Sequence, residues 1–249
     1  MRIYRIFVLY FIFSAPVLYG QKAFRDSVDV RMQKIAAEGP DSLKMLLSEE
    51  IGMYLQKLPF GSYATLENVK YLGYKPGGDG SVEMFSWSVP LNKDWGYYHF
   101  FKFKDRSKGT LIKSLPGEDG PVPPYLFYDI IPFKSDKNTC YLLLGWGETA
   151  KTNRKGVFVV FFDGRGRADF RRKLLKSGNS SSAFLTFEYS RDAVMTLKHD
   201  PKKSRIIFDN LSPSEERFRE YFMFYGPDGV INALRLKRGI WWLEKDVKL

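Results

Sequence analysis

A mainly β domain of antiparallel meander units, preceded by a short N-terminal helical region, is the fold the sequence predicts. Three observations carry this. From about residue 63 onward the chain is a series of short aromatic and β-branched runs separated by glycine, proline and aspartate. The connections between those runs are too short for the crossover helices that parallel strands need. The one sustained three-and-four spacing of apolar residues lies before residue 60.

The elements follow in order. Arg2 and Arg5 precede an apolar and aromatic run from Ile6 to Phe13 that resumes after Ser14 and reaches Tyr19, and no acid occurs before Asp26. This is the order of charges and apolar residues in a secretory signal peptide, residues 1–20, with the cut expected after Gly20. The apolar stretch, interrupted by Ser14 and Pro16, is shorter than the roughly 20 residues of a spanning helix. No transmembrane helix is therefore expected in the mature chain. The only cysteine is Cys140, so a lipid anchor at the cut and an internal disulfide are both excluded. In the apolar run 140–144 it reads as a buried, inert thiol.

Residues 21–60 form the helical region. Phe24, Val28, Met32 and Ile35 give a weakly patterned first helix. Asp41, after Gly39-Pro40, is the expected N-cap of a second. Leu43, Leu46, Leu47, Ile51, Tyr54, Leu55 and Leu58 make its apolar stripe, and Pro59 and Gly61 end it.

Residues 61–249 form the β domain. Strands are predicted over 69–74, 82–89, 97–104, 110–115, 125–133, 140–146, 157–162 and 168–174, then over 184–189, 194–198, 205–208, 221–224, 230–236 and 240–243. The turns 76–80, 163–164 and 227–229 supply glycine where positive φ is needed. Pro121-Val122-Pro123-Pro124 reads as a loop between two β units of one domain. A weak repeat spans it: Phe85-Ser86-Trp87 ends one strand and Leu144-Gly145-Trp146 ends its counterpart. Such units suit the blades of a small propeller, or a meander that curls into a sandwich or barrel.

Composition narrows the function. Losing residues 1–20 removes two arginines and no acid, so the formal charge falls from +11 to +9. A basic exported protein favours an anionic glycan, lipopolysaccharide or an envelope protein as partner. Export makes nucleic acid a poor candidate. HExxH, GxSxG, phosphate-loop and GxGxxG motifs are all absent, so no cofactor is expected. Two histidines and one cysteine cannot build a multi-histidine zinc site, so no metal is expected. His99, in an aromatic strand with no nucleophile in view, reads as a structural or surface histidine, and His199 as a turn residue. Glu83, Asp94, Glu148, Glu188, Asp209 and Glu244 lie in or beside predicted strands. Any two that converged across a sugar would have the makings of a glycoside hydrolase.

The binding candidates are aromatic and basic. Trp87 and Trp146 read as core. Trp95, and Trp242 of the pair Trp241-Trp242 whose members point to opposite sheet faces, are candidates for stacking against a ligand. Arg165, Arg167 and Arg171, around the turn Asp163-Gly164-Arg165-Gly166, are candidates for an anion.

The leader ending in Gly20-Gln21, with the strings Tyr141-Leu142-Leu143-Leu144-Gly145-Trp146, Phe187-Glu188-Tyr189-Ser190 and Ile207-Phe208-Asp209-Asn210-Leu211-Ser212-Pro213, resembles a group of exported uncharacterised proteins from Bacteroidota. The resemblance covers most of residues 65–243 and implies export, but no particular activity. The expectation is therefore a binding or structural protein of the periplasm or the extracellular space. An enzyme acting on glycans or envelope polymers through paired carboxylates is the alternative.

Overall fold

A computed structural model describes residues 22–92, 94–116 and 122–248. The predicted signal peptide lies outside the described residues. The protein is mainly β, as its strand spacing predicts. Helix α1, described over 22–36, and helix α2, Asp41–Lys57, cover one face of a stack of three sheets.

The first sheet is a meander of β1 (Gly73–Pro76), β2 (Val82–Pro90), β3 (Trp95–Phe103) and β4 (Thr110–Ser114), in that order. The chain then enters β5 (Leu126–Ser135), β6 (Asn138–Glu148) and β7 (Thr152–Phe162), with the short β8 (Ala168–Asp169) paired to the end of β7. β11 (Phe184–Ser190) pairs with the other part of β7 and completes the second sheet, in order β11-β7-β6-β5. The third sheet holds β9 (Leu175–Ser177), β10 (Ser180–Ser182), β12 (Leu197–Asp200), β13 (Arg205–Pro213), β14 (Tyr225–Lys237) and β15 (Ile240–Glu244). All pairings are antiparallel except β15 with β9, a parallel contact of two residue pairs.

Strand alternation explains the stack. On β2 and β3, Phe85, Trp87, Tyr98 and Phe100 point to the helices, and Trp87 stacks on its ladder partner Tyr98 at 5.6 Å. The intervening Val82, Met84, Phe101 and Phe103 point the other way, onto Tyr141, Leu143, Phe158 and Val160 of the second sheet. The remaining faces of β6 and β7, with Leu142, Leu144, Val157 and Val159, meet Leu197, Ile206, Phe208, Leu234 and Trp241 of the third. A sheet apolar on both faces must be covered on both. Each large apolar side chain sealed in these layers contributes about 1.5–3 kcal/mol. The predicted antiparallel units thus pack face to face, sheet on sheet. Cys140 is fully buried in the outer interface, and burial pushes its thiol pKa up.

Several local expectations are corrected. Asp41 is the first helical residue, not the N-cap; Pro40 occupies that position, and the Asp41 carboxylate accepts the Asn92 backbone N–H. Only Leu47, Ile51, Leu55 and Leu58 of the helical stripe are buried, whereas Leu43 and Leu46 are exposed. Of the segment 69–74, only Gly73 and Tyr74 are strand, because Tyr71 takes positive φ and the ladder begins at Gly73. Most of 168–174 is irregular, because the Asp169 carboxylate binds the Arg171 backbone N–H and competes with the ladder. The segment 221–224 is not strand: Phe222–Phe224 form a 3₁₀ turn, and Phe224 stacks on Phe218. His199 lies in β12, one residue before its turn. Trp146 is half-buried, while Trp87 is fully buried as expected.

Candidate cleft between the first and second sheets

The core between the first and second sheets runs as far as Tyr125, Phe158 and Phe170. Beyond those rings the interface opens into a cleft of about 610 Å³, within the roughly 300–1,000 Å³ of small-molecule sites. One wall comes from the start of β3 and the end of β4, through Trp95, Tyr97 and Ser114. The facing wall comes from Arg154 and Phe158 of β7 and Phe184 and Thr186 of β11. Pro123 and Pro124, from the loop that crosses between the sheets, close one side.

Register puts these groups on one face. Phe158 is opposite Phe184 and Arg154 is opposite Glu188 on β11, so Arg154, Phe158, Phe184 and Thr186 share the face toward the first sheet. On the other flank of β7, Gly156 pairs with Gly145 and Arg154 with Gly147. Bare backbone at these positions lets rings lie against the sheet. A Cβ at Gly156 would meet the Phe158 ring at 2.4 Å, and one at Gly145 would meet Tyr125 at 2.9 Å. Tyr125 and Phe158 then stand 4.8 Å apart, centroid to centroid, as a continuous aromatic wall.

The electrostatics of the cleft centre on Arg154. Its guanidinium lies over the Tyr125 ring at 5.4 Å. Its Nη2 donates to the Glu148 carbonyl at a long 3.5 Å, and its buried Nε–H has no partner. Burial pushes the Tyr97 phenol pKa up to about 12 and raises that of Tyr125, so both rings present neutral hydroxyl groups.

Of the residues the sequence nominates, Trp95 and Arg171 line this cleft, and Arg165, Arg167 and Trp242 do not. Arg167 donates through Nε to Asp163, and Arg171 donates through Nε to Asp169 at the rim. Arg165 contributes its backbone N–H to the same Asp163 turn. Two of the three arginines are therefore tied to their own aspartates. Trp242 is on the outer face of β15, with Lys176 at 5.0 Å from its ring, while Trp241 is in the core.

The six carboxylates have separate partners. Glu83 is buried at the helical layer and accepts from Tyr74 and the Gly61 N–H. Asp94 binds the Trp95 N–H at the mouth of the cleft. Glu148 pairs with Arg191, and Glu188 accepts the Thr152 hydroxyl. Asp209 holds the Thr196 N–H, and Glu244 pairs with Arg235 and Lys237. Among the described residues, no group of three or more histidines, cysteines or acids is placed to hold a metal.

Arg154, Tyr97, Tyr125, Phe158 and Phe184 were not legible as site residues. The available signal was three glycines, 145, 147 and 156, inside otherwise strand-forming runs, which mark a close approach to the sheet face. Compared with protein-family models and with curated proteins, the chain matches none.

Proposed function

We propose that the chain is an exported, non-catalytic binding protein of the cell envelope, and that its ligand occupies the cleft between the first and second sheets. The observation that carries this is a concave aromatic wall, Trp95, Tyr125, Phe158 and Phe184, converging with one guanidinium that forms no ion pair among the described residues. A concave, mostly apolar site with few convergent polar groups is the usual form of a small-molecule pocket. The basic amino terminus followed by an apolar run supports export. No described helix is long and apolar enough to cross a membrane. The six carboxylates, each engaged by a different donor, give paired-acid hydrolysis no comparable support.

The test is retention of a native ligand. The protein is produced with its own leader, purified from the envelope and denatured, and the released small molecules are identified by mass spectrometry. Thr186 is exposed on the edge strand β11 and lines the cleft, so Thr186→Trp should plug it without disturbing the core. A compound released by the wild type and missing from Thr186→Trp is the expected result. Identical release from both, or none from either, would count against the reading.

A further inference from the structure

Resting on that reading, we infer that the cleft selects a small monocarboxylic acid with an apolar body, its carboxylate gripped by Arg154. Four other arginines show what Arg154 lacks. Arg31 reaches Glu50 at 2.7 Å, Arg205 reaches Asp200 at 3.1 Å and Arg235 reaches Glu244 at 2.9 Å. Arg106 donates to two backbone carbonyls. Arg154 forms no ion pair with a described residue and leaves its buried Nε–H unfilled. Removing a charged donor from water without a partner is unfavourable, and an incoming anion would relieve that cost. A guanidinium presents its N–H donors in a planar fork whose geometry matches the two oxygens of a carboxylate.

The surroundings set the ligand's charge. Glu188 faces Arg154 across the ladder, but its carboxylate accepts from Thr152. Glu148 is turned to Arg191, and Asp94 stands at the mouth. Arg171, the other cation of the lining, is already bound to Asp169. A dianion such as a phosphate monoester would meet these acids with one unpaired cation to offset them. A single carboxylate suits one guanidinium.

The lining sets the ligand's body. Besides the tyrosine phenols, its side-chain hydroxyls are Ser114 and Thr186, while the walls are rings, prolines, Leu115, Val122 and Ala183. A sugar acid would bring many hydroxyls into a site with few groups to bind them, each costing free energy if left unpaired. An aryl-alkanoic or medium-chain fatty acid loses nothing there, because its body is apolar.

Isothermal titration calorimetry on the envelope-purified protein tests this with three pairs of probes. Phenylbutyrate and decanoate are the acids, phenylbutanol and decanol their neutral counterparts, and phenyl and decyl phosphate the dianions. The wild type should bind the acids at least tenfold more tightly than the alcohols or the phosphates. Arg154→Met should lose that preference and keep the alcohols' affinity, while Thr186→Trp should bind none of them. Alcohols or phosphates binding the wild type as well as the acids would overturn the carboxylate inference and leave the binding reading standing. So would undiminished acid binding by Arg154→Met. Failure of every probe to bind would overturn both. The comparison of acid with alcohol on the wild type decides the matter even if Arg154→Met does not fold.

Discussion

Acid should loosen the interface behind the cleft through His99. This ring is fully buried between the first and second sheets, with Nε2 3.0 Å from the Tyr125 carbonyl and Nδ1 3.0 Å from the Ser86 hydroxyl. A carbonyl only accepts, so Nε2 carries the proton and Nδ1 accepts from Ser86. Burial pushes the imidazole pKa down to about 3 from 6.5. The unfolded chain therefore takes up a proton below about pH 6.5 that the folded chain refuses until about pH 3. His99 stability is fully present above the higher value and is lost as pH falls through this window. At 1.36 kcal/mol per unit, the loss by about pH 5 is roughly 2 kcal/mol. Burial also lowers the pKa of His199, which adds a smaller loss of the same sign. The lowered carboxylates, Asp163, Asp169, Asp200, Asp228 and Glu244, lose their contributions at more acidic pH, as it falls through the carboxylate range. Urea unfolding at about pH 7.5 and about pH 5 measures the difference, with His99→Gln as control, because an amide can keep both hydrogen bonds without titrating. The wild type should lose about 2 kcal/mol more than the variant. Equal losses would refute the argument. So would an NMR titration in which the His99 ring protonates near pH 6 in the folded protein.

Other outcomes follow from the packing. Ile51→Ala, at a fully buried helical position, should cost about 2–5 kcal/mol in urea unfolding, whereas Leu46→Ala, more than half exposed, should change stability by under about 0.5 kcal/mol. Gly156→Ala should drive the Phe158 ring from its place against the sheet, costing about 1–3 kcal/mol and weakening any cleft ligand, read by denaturation and calorimetry together. The mature N-terminus should fall near Gln21 by mass spectrometry of protein recovered from the envelope; an intact Met1 there would defeat the export proposal.

Periodicity alone was enough for the β class, the helical beginning, and the placing of Trp241 and Trp242 on opposite faces of their strand, because alternation and helical spacing are local properties of the backbone. The burial of Cys140 was also readable, since it lies in a run too apolar to face water, whereas His99 could have been structural or on the surface until the packing of the two sheets enclosed it. Three things were decided only in three dimensions. The helical stripe shrank to Leu47, Ile51, Leu55 and Leu58 because the sheet beneath covers a narrower face than the pattern offers. The strand expected at 221–224 is instead a 3₁₀ turn at Phe222–Phe224, closed by the stacking of Phe224 on Phe218, a contact between side chains that no strand pattern announces. The cleft joins Trp95 of one sheet to Arg154 of another and leaves Arg165, Arg167 and Trp242 outside it. Residues about sixty positions apart meet there through the stacking of two sheets, and no local pattern encodes which faces will stack or where their core will run out.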